Sequence, residues 1–290
     1  MKNFDSMQRF LFEDYPIRGQ HVSLDESWQQ IVSHSELDGR AQVLLGEALA
    51  ATALLVETLK IKGSVILQIR GTGPLGLLVV EANSNRKIRG IARQESPLSD
   101  ELSLPDIFGS DYFVITIKVD GAEPYQGIAP LIGNNLAEAL EHYFATSDQL
   151  PTRFWLSSDT KNVSGLMLQK LPGNSDDPDA WNRALILAET LSLSELKNTK
   201  LEELLYRLFH EENLRVFPPQ PVEFYCSCSR ERTAAMLITL GKEEVLDILN
   251  QEGAVSVNCE FCNRNYRFDS IDVEQVFLGS GSITLDTTAH

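Results

Sequence analysis

Apolar positions along the first 173 residues change period several times, and each change predicts a different element. Between Arg40 and Lys60, Ala41, Leu44, Ala48, Leu55 and Leu59 recur mostly at helical spacing, which predicts a long helix. Just upstream, Ser23-Leu24-Asp25-Glu26 has the form of a capping box, so a short helix through Trp28, Ile31 and Val32 is expected. After Lys60 strands dominate. Val65–Arg70, Leu75–Glu81 and Ile88–Arg93 are joined by Gly-Thr-Gly-Pro and Asn83-Ser84-Asn85 turns and predict an antiparallel meander. Tyr112–Val119 and Tyr125–Ala129 predict a further hairpin. Leu136–Ser147 returns to helical period, and Arg153–Leu156 and Gly165–Leu171 add strand candidates. Strand runs interrupted by helices indicate an α+β domain over 1–173.

The pattern breaks at Pro172-Gly173-Asn174-Ser175-Asp176-Asp177-Pro178-Asp179, whose composition is that of a solvated linker. Two amphipathic helices are expected beyond it. One carries Trp181, Leu185, Ala188 and Leu191; the other opens at a Thr199/Glu202 capping box and carries Leu201, Leu204, Leu205 and Leu208. Pro218-Pro219 stops helix and marks a second boundary. Two helices between two breaks cannot bury their apolar stripes alone, so residues 174–221 are expected to lie against a neighbouring domain. A small module over 222–279 and a flexible tail over 280–290 complete the expected layout.

Composition narrows the function. The 290 residues carry 25 Lys and Arg against 41 Asp and Glu, a formal charge of −16, and that field repels phosphate backbones. Residues 222–290 hold five basic and eleven acidic side chains, which also disfavours a nucleic-acid-binding zinc ribbon. The start, Met1-Lys2-Asn3-Phe4-Asp5-Ser6, lacks the apolar core of a signal peptide. No apolar run approaches the roughly 20 residues of a membrane helix. A cytoplasmic, membrane-free protein is therefore expected. In that reducing compartment, clustered cysteines point to metal or redox chemistry rather than permanent disulfides.

The only cysteines are Cys226 and Cys228, then, after thirty residues, Cys259 and Cys262. Cys-x-x-Cys before the strand candidate Tyr266-Arg267-Phe268 has the form of a zinc knuckle, a turn that aims two sulfurs at one point while backbone N–H groups support them. Four thiolates suit tetrahedral zinc, so one ion bound by Cys226, Cys228, Cys259 and Cys262 is expected. A thioredoxin-like redox pair at Cys259 and Cys262 would need a long helix directly after it, where a strand is predicted. Between the pairs, helices are expected over Ser229–Leu240 and Glu243–Leu249, stopped by Gly241 and Gly253. Few large apolar residues support this module, and zinc supplies the missing cross-link. Arg230, Arg232, Arg264 and Arg267 either offset the charge of the thiolates or pair with Glu231 and Glu260.

Other motifs carry less. Gly71-Thr72-Gly73-Pro74-Leu75-Gly76 matches the dinucleotide fingerprint by letter, but a strand rather than a helix follows, so a hairpin turn is expected. The histidines, His21, His34, His142, His210 and His290, are scattered, and nothing assembles a hydrolase or transferase site.

The segment Cys226-Ser227-Cys228-Ser229-Arg230-Glu231-Arg232, with the thirty-residue gap and the following Cys-x-x-Cys, resembles the redox-regulated bacterial chaperone family heat shock protein 33. Arg9–Glu13, Arg89–Arg93, Tyr125–Gly127, Gln149–Arg153 and Tyr206–Glu212 extend the resemblance over essentially the whole chain. It implies an ATP-independent holdase rather than an enzyme, inactive while reduced and zinc-bound. Oxidation then converts the thiolates to disulfides, paired Cys226–Cys228 and Cys259–Cys262. Zinc leaves, the cysteine domain and linker unfold, and the chain forms a homodimer that holds unfolding clients. Trp181, Leu185, Leu204 and Leu205 are the candidate client-binding residues, because linker unfolding would bare them. The competing reading is a thiol-disulfide oxidoreductase using Cys259 and Cys262.

Overall fold

The computed structural model describes residues 5–33, 35–59, 61–99, 101–173 and 176–280; of the tail expected at 280–290, all but Ser280 lies outside the described residues. The chain forms two compact units, Met1–Tyr225 and Cys226–His290.

The first unit opens with strands β1 (Ser6–Phe12) and β2 (Ile17–Leu24), then helices α1 (Glu26–Val32) and α2 (Gly39–Thr58). Strands β3 (Gly63–Arg70), β4 (Leu75–Asn83) and β5 (Lys87–Gln94) form the expected meander. Helix α3 (Leu104–Phe108), strands β6 (Tyr112–Val119) and β7 (Tyr125–Pro130) and helix α4 (Leu136–Tyr143) follow, and α4 runs into a π-helical turn at Phe144–Asp148. Strands β8 (Thr152–Ser158) and β9 (Val163–Lys170) complete the α+β core. Three helices come next rather than two: α5 (Ala180–Ala188), α6 (Leu193–Asn198) and α7 (Leu201–Phe209). Short strands β10 (Leu214–Val216), β11 (Gln220–Pro221) and β12 (Glu223–Phe224) end the unit.

One sheet has the order β10-β1-β2-β9-β8, with β11 also on β1; the other runs β12-β5-β4-β3-β6-β7. Helix α2 packs on β3, β4 and β5 of the second sheet and on β2, β8 and β9 of the first. It therefore needs more than the one-sided stripe that periodicity suggested: Leu45, Leu49, Ala53 and Leu54 are buried alongside Ala41, Leu44 and Ala48. A helix apolar all round belongs inside a core. Its 20 residues have the length and hydropathy of a membrane span, contrary to the sequence reading, yet 72% of that window is buried within the fold. Close approach explains two glycines. A Cβ at Gly90 would lie 3.1 Å from Leu49 and one at Gly165 3.0 Å from Leu54, so larger residues would push α2 off either sheet.

The first sheet is buried on both faces. Met7, Val22 and Met167 face the α2 core; Phe10, Phe12, Ile17, Leu166 and Leu168 face α5–α7. The stripes of α5–α7 are buried on this sheet, within the same compact unit rather than against a separate domain. Their caps differ from expectation. Helix α7 has Lys200 at its N-cap with no side-chain cap bond, and Glu202 instead accepts from Gln8 Nε2 at 3.2 Å. The capping box that forms is Ser192/Glu195, at the start of α6. Similarly, Ser23 lies in β2, and α1 is capped by the Asp5 carboxylate, which accepts from Glu26 N at 3.0 Å and from the amides of Asp25 and Ser27.

After α7 the chain is strapped along both sheets. Phe217 N donates to Arg9 O at 2.9 Å, Tyr225 N donates to Ile88 O at 3.0 Å, and Val222 is buried in the α2 core.

Candidate metal and redox centre

The second unit contains helices α8 (Arg230–Leu240) and α9 (Lys242–Glu252), a hairpin of β13 (Val255–Asn258) and β14 (Asn265–Phe268), and helix α10 (Ser270–Ser280). Among the described residues its core cluster has Leu237, Val245, Val255, Tyr266, Phe268 and Val273 as buried members, with Leu246, Leu249, Val276, Cys228 and Cys259 among the partly buried side chains packed against them.

Two local structures deliver the cysteines. Ser229 caps α8, accepting from Arg232 N at 3.2 Å, which fixes Cys226 and Cys228 just ahead of the helix. Arg232 Nη1 also donates to Ser227 O at 2.9 Å and pins the residue between them. The other pair sits on the β13–β14 turn, where Cys259 N donates to Arg264 O at 2.9 Å and Asn263 N to Cys259 O at 2.7 Å. Asn263 adopts the left-handed φ of 54° that closes this knuckle.

The four sulfurs converge to within 4.8 Å of one another. Cys226 Sγ lies 3.5 Å from Cys259 Sγ, and Cys228 Sγ lies 3.4 Å from Cys262 Sγ. Tetrahedral zinc with bonds of about 2.3 Å would separate its sulfurs by roughly 3.8 Å, so this spacing is that of ligands around one ion. The chemistry of the donors fits as well. Burial pushes the Cys262 thiol up to about 12, against the backbone N–H of Arg264, and burial also raises Cys226. Cys228 is opposed by burial but drawn down to about 7 by Tyr266 and the neighbouring thiols. Left to themselves, four crowded sulfurs cannot all ionise; a dication removes that conflict. These residues can hold a metal ion, and among the described residues they are the only His, Cys, Asp or Glu group close enough to share one.

The arginines divide by role. Arg264 is held above its ordinary pKa by Tyr266 first and then by the fields of Cys228 and Cys262. Arg230 instead pairs with Asp272 at 2.7 Å and covers the Phe268 ring at 4.3 Å. Tyr266, read from sequence only as a strand residue, places its hydroxyl 3.1 Å from Cys228 Sγ. Alternation in β14 was the available signal, because it turns Tyr266 inward with Phe268, and a buried tyrosine hydroxyl needs a partner.

The candidate client residues lie in the first unit. Leu204 and Leu205 are buried against the first sheet, and Trp181 and Leu185 are half-buried. The glycine motif at 71–76 forms the β3–β4 turn, with Gly73 N donating to Phe108 O at 2.9 Å; no helix follows it.

Comparison with known proteins agrees with this architecture. The family model described as Hsp33 protein matches residues 5–269. The chain is 45% identical to the 33 kDa chaperonin of Nitrosococcus oceani over 290 residues, 100% of both chains. It is 46% identical to that of Methylobacillus flagellatus over 281 residues, 96% of each. A crystal structure of the 33 kDa chaperonin (heat shock protein 33 homolog) from Thermotoga maritima superimposes with a TM-score of 0.81 at 24% identity, covering 96% of this chain and 100% of that one, which shows a shared fold. With a family model spanning nearly its whole length and relatives of this identity end to end, the chain belongs to the Hsp33 family.

Proposed function

We propose that this protein is a chaperone of the ATP-independent holdase type, gated by oxidation of its four cysteines. The carrying observation is the convergence of all four sulfurs within 4.8 Å in a unit with a six-residue buried core. When bound, zinc would hold Cys226, Cys228, Cys259 and Cys262 as thiolates and cross-link the two motifs. Each cysteine pair can then surrender two electrons to a peroxide, whose O–O bond breaks to leave two hydroxide ions while one S–S bond forms. Pairing within each motif, Cys226–Cys228 and Cys259–Cys262, is the reading we favour. The reduced cluster puts its shortest contacts across the motifs, yet all four sulfurs are near neighbours. After the ion leaves, partners two or three residues apart have the higher effective concentration.

The energetic order follows from size. A structural zinc contributes an apparent ~10–16 kcal/mol to folding, comparable to the whole stability of a domain. Its loss unfolds the second unit, from Cys226 onward. The segment 174–221 is next, since α5–α7 are held by docking on the first sheet. Release bares Trp181, Leu185, Leu204 and Leu205 together with Phe10, Phe12 and Leu166, an apolar surface for unfolding clients and for a second copy of the chain. Residues 1–173 remain as the folded platform. The site of action is the cytoplasm, where the resting thiols stay reduced.

The test is suppression of aggregation of a heat-unfolded client without ATP. Peroxide-treated protein is expected to suppress it at near-stoichiometric amounts, and the reduced, zinc-loaded protein is not. Catalytic turnover in an insulin-reduction assay would favour the oxidoreductase reading instead.

A further inference from the structure

The face of the first sheet beneath α6 and α7 is not wholly apolar. His21 of β2 points to it, two positions from Gly19 and four from Ile17, and is 6% exposed. Its Nε2 lies 3.1 Å from the hydroxyl of Ser164 on β9. That hydroxyl oxygen is 3.0 Å from the carbonyls of both Val22, in the sheet, and Leu196, in α6. A cleft of about 690 Å³ opens beside the ring, with Gln8, Leu196, Lys197 and Glu202 among its walls. The linker thus closes over a titratable ring that the redox mechanism does not use.

We propose that His21 is an acid-sensitive latch: enclosing its ring between the sheet and α6–α7 disfavours the protonated imidazole, so mild acid loosens the docked linker without oxidation of the cysteines. The consequence for client binding rests on the function proposed above; the latch itself does not.

The charges around the ring do not rescue its protonated form. Glu202 of α7 favours the imidazolium, as does the Leu196 carbonyl, but burial outweighs both and holds His21 down at about 4 against an ordinary 6.5. Lys197 of α6, itself paired with Asp159, and Lys200 at the α6–α7 turn bring positive charge to the same cleft, and Asp5 is engaged by the amides of α1. The neighbours of His21 across the ladder, Gln8 on β1 and Leu166 on β9, are neutral. Because the pKa is lowered on docking, docking is at full strength above neutrality, weakens as pH falls through 6.5, and levels off below about 4. At pH 5 the undocked-to-docked ratio is expected to rise about 30-fold over its value at pH 7.5. Glu47 acts with the opposite sign: burial raises its carboxyl to about 7, so the α2 core gains stability over the same range. Acid therefore loosens the linker while the platform beneath it tightens.

The experiment is hydrogen exchange of the α6 and α7 amides in the full-length, reduced, zinc-loaded protein at pH 7.5 and 5.0. Rates are corrected for intrinsic exchange, and bound zinc is measured in the same samples. The wild type is expected to open about 30-fold more at pH 5.0 with zinc retained, and H21Q less than about 3-fold. An equal rise in both proteins, or a rise that tracks zinc loss, overturns the latch. Should H21Q fail to fold, proton NMR titration of the His21 ring in the wild type decides: a midpoint near 4 supports the latch and one near 6.5 overturns it. The redox reading is judged separately, by peroxide treatment of the wild type at pH 7.5, so either idea can fail without the other.

Discussion

The two units of this chain solve the folding problem in different ways. The first packs the largely apolar helix α2 between two sheets and covers one of them with further helices, so it rests on burial of apolar side chains. Among the described residues the second has a buried apolar cluster of six and four sulfurs whose titrations conflict unless a cation joins them. The cysteine cluster that can hold a metal ion lies in the second unit, where the apolar core is small. Instability confined to one unit is what a switch requires, because the trigger can then unfold its own domain and leave the platform standing.

The comparison breaks most visibly on metal removal. A strong chelator, or Cys259→Ser, is expected to unfold residues 226–280, removing an apparent ~10–16 kcal/mol, while the first unit keeps its melting transition. Circular dichroism with calorimetry checks this, and loss of both transitions together would contradict it. Next in size is the linker. Leu204→Ala removes a buried contact with the first sheet and is expected to weaken docking by about 2–4 kcal/mol. Limited proteolysis should then cut between residues 172 and 223 in the reduced, zinc-loaded protein; cleavage inside β3 or β4 instead would move the weak point into the platform.

A third test uses disulfide connectivity. Peptide mapping after peroxide is expected to find Cys226–Cys228 and Cys259–Cys262. A bond across the thirty-residue gap would constrain the unfolded state by roughly 3 kcal/mol or more and oppose the switch. Finding Cys228 mainly joined to Cys259 or Cys262 sinks both the pairing and the unfolding mechanism. The smallest expected effect concerns Glu47. Its carboxyl is raised on folding to about 7, so its contribution is complete below about 4.5 and is lost as pH rises through 7. The first unit should lose about 1–3 kcal/mol between pH 4.5 and 7.5 through this group. Glu47→Gln should flatten that slope; an unchanged slope would place the titration elsewhere.

How much of this could be read from the sequence depended on whether pattern and burial agreed. The β3–β4–β5 meander alternates clearly, and its strands appear within two residues of their expected ends. The cysteine spacing led directly to the sulfur cluster. Strand β2 was invisible because Gln20 and His21, at 1% and 6% exposure, look like surface residues in Ile-Arg-Gly-Gln-His-Val-Ser-Leu. Its burial is tertiary, imposed by α2 on one side and the linker on the other. Helix α6 was missed because six residues are too few to show a period. The proposed boxes at Ser23 and Thr199 failed for a related reason: a distant carboxylate, Asp5, caps α1, and Glu202 turns to Gln8.

The central claim is that one event at the sulfurs releases the metal, frees the linker and creates the client surface. It is tested most directly by following zinc release, thiol count and suppression of client aggregation together in one peroxide time course. The account predicts loss of one zinc and four thiols per chain, with chaperone activity rising alongside or just after them. Full activity while the zinc and all four thiols remain in place at neutral pH, or complete oxidation with no gain in activity, would contradict it.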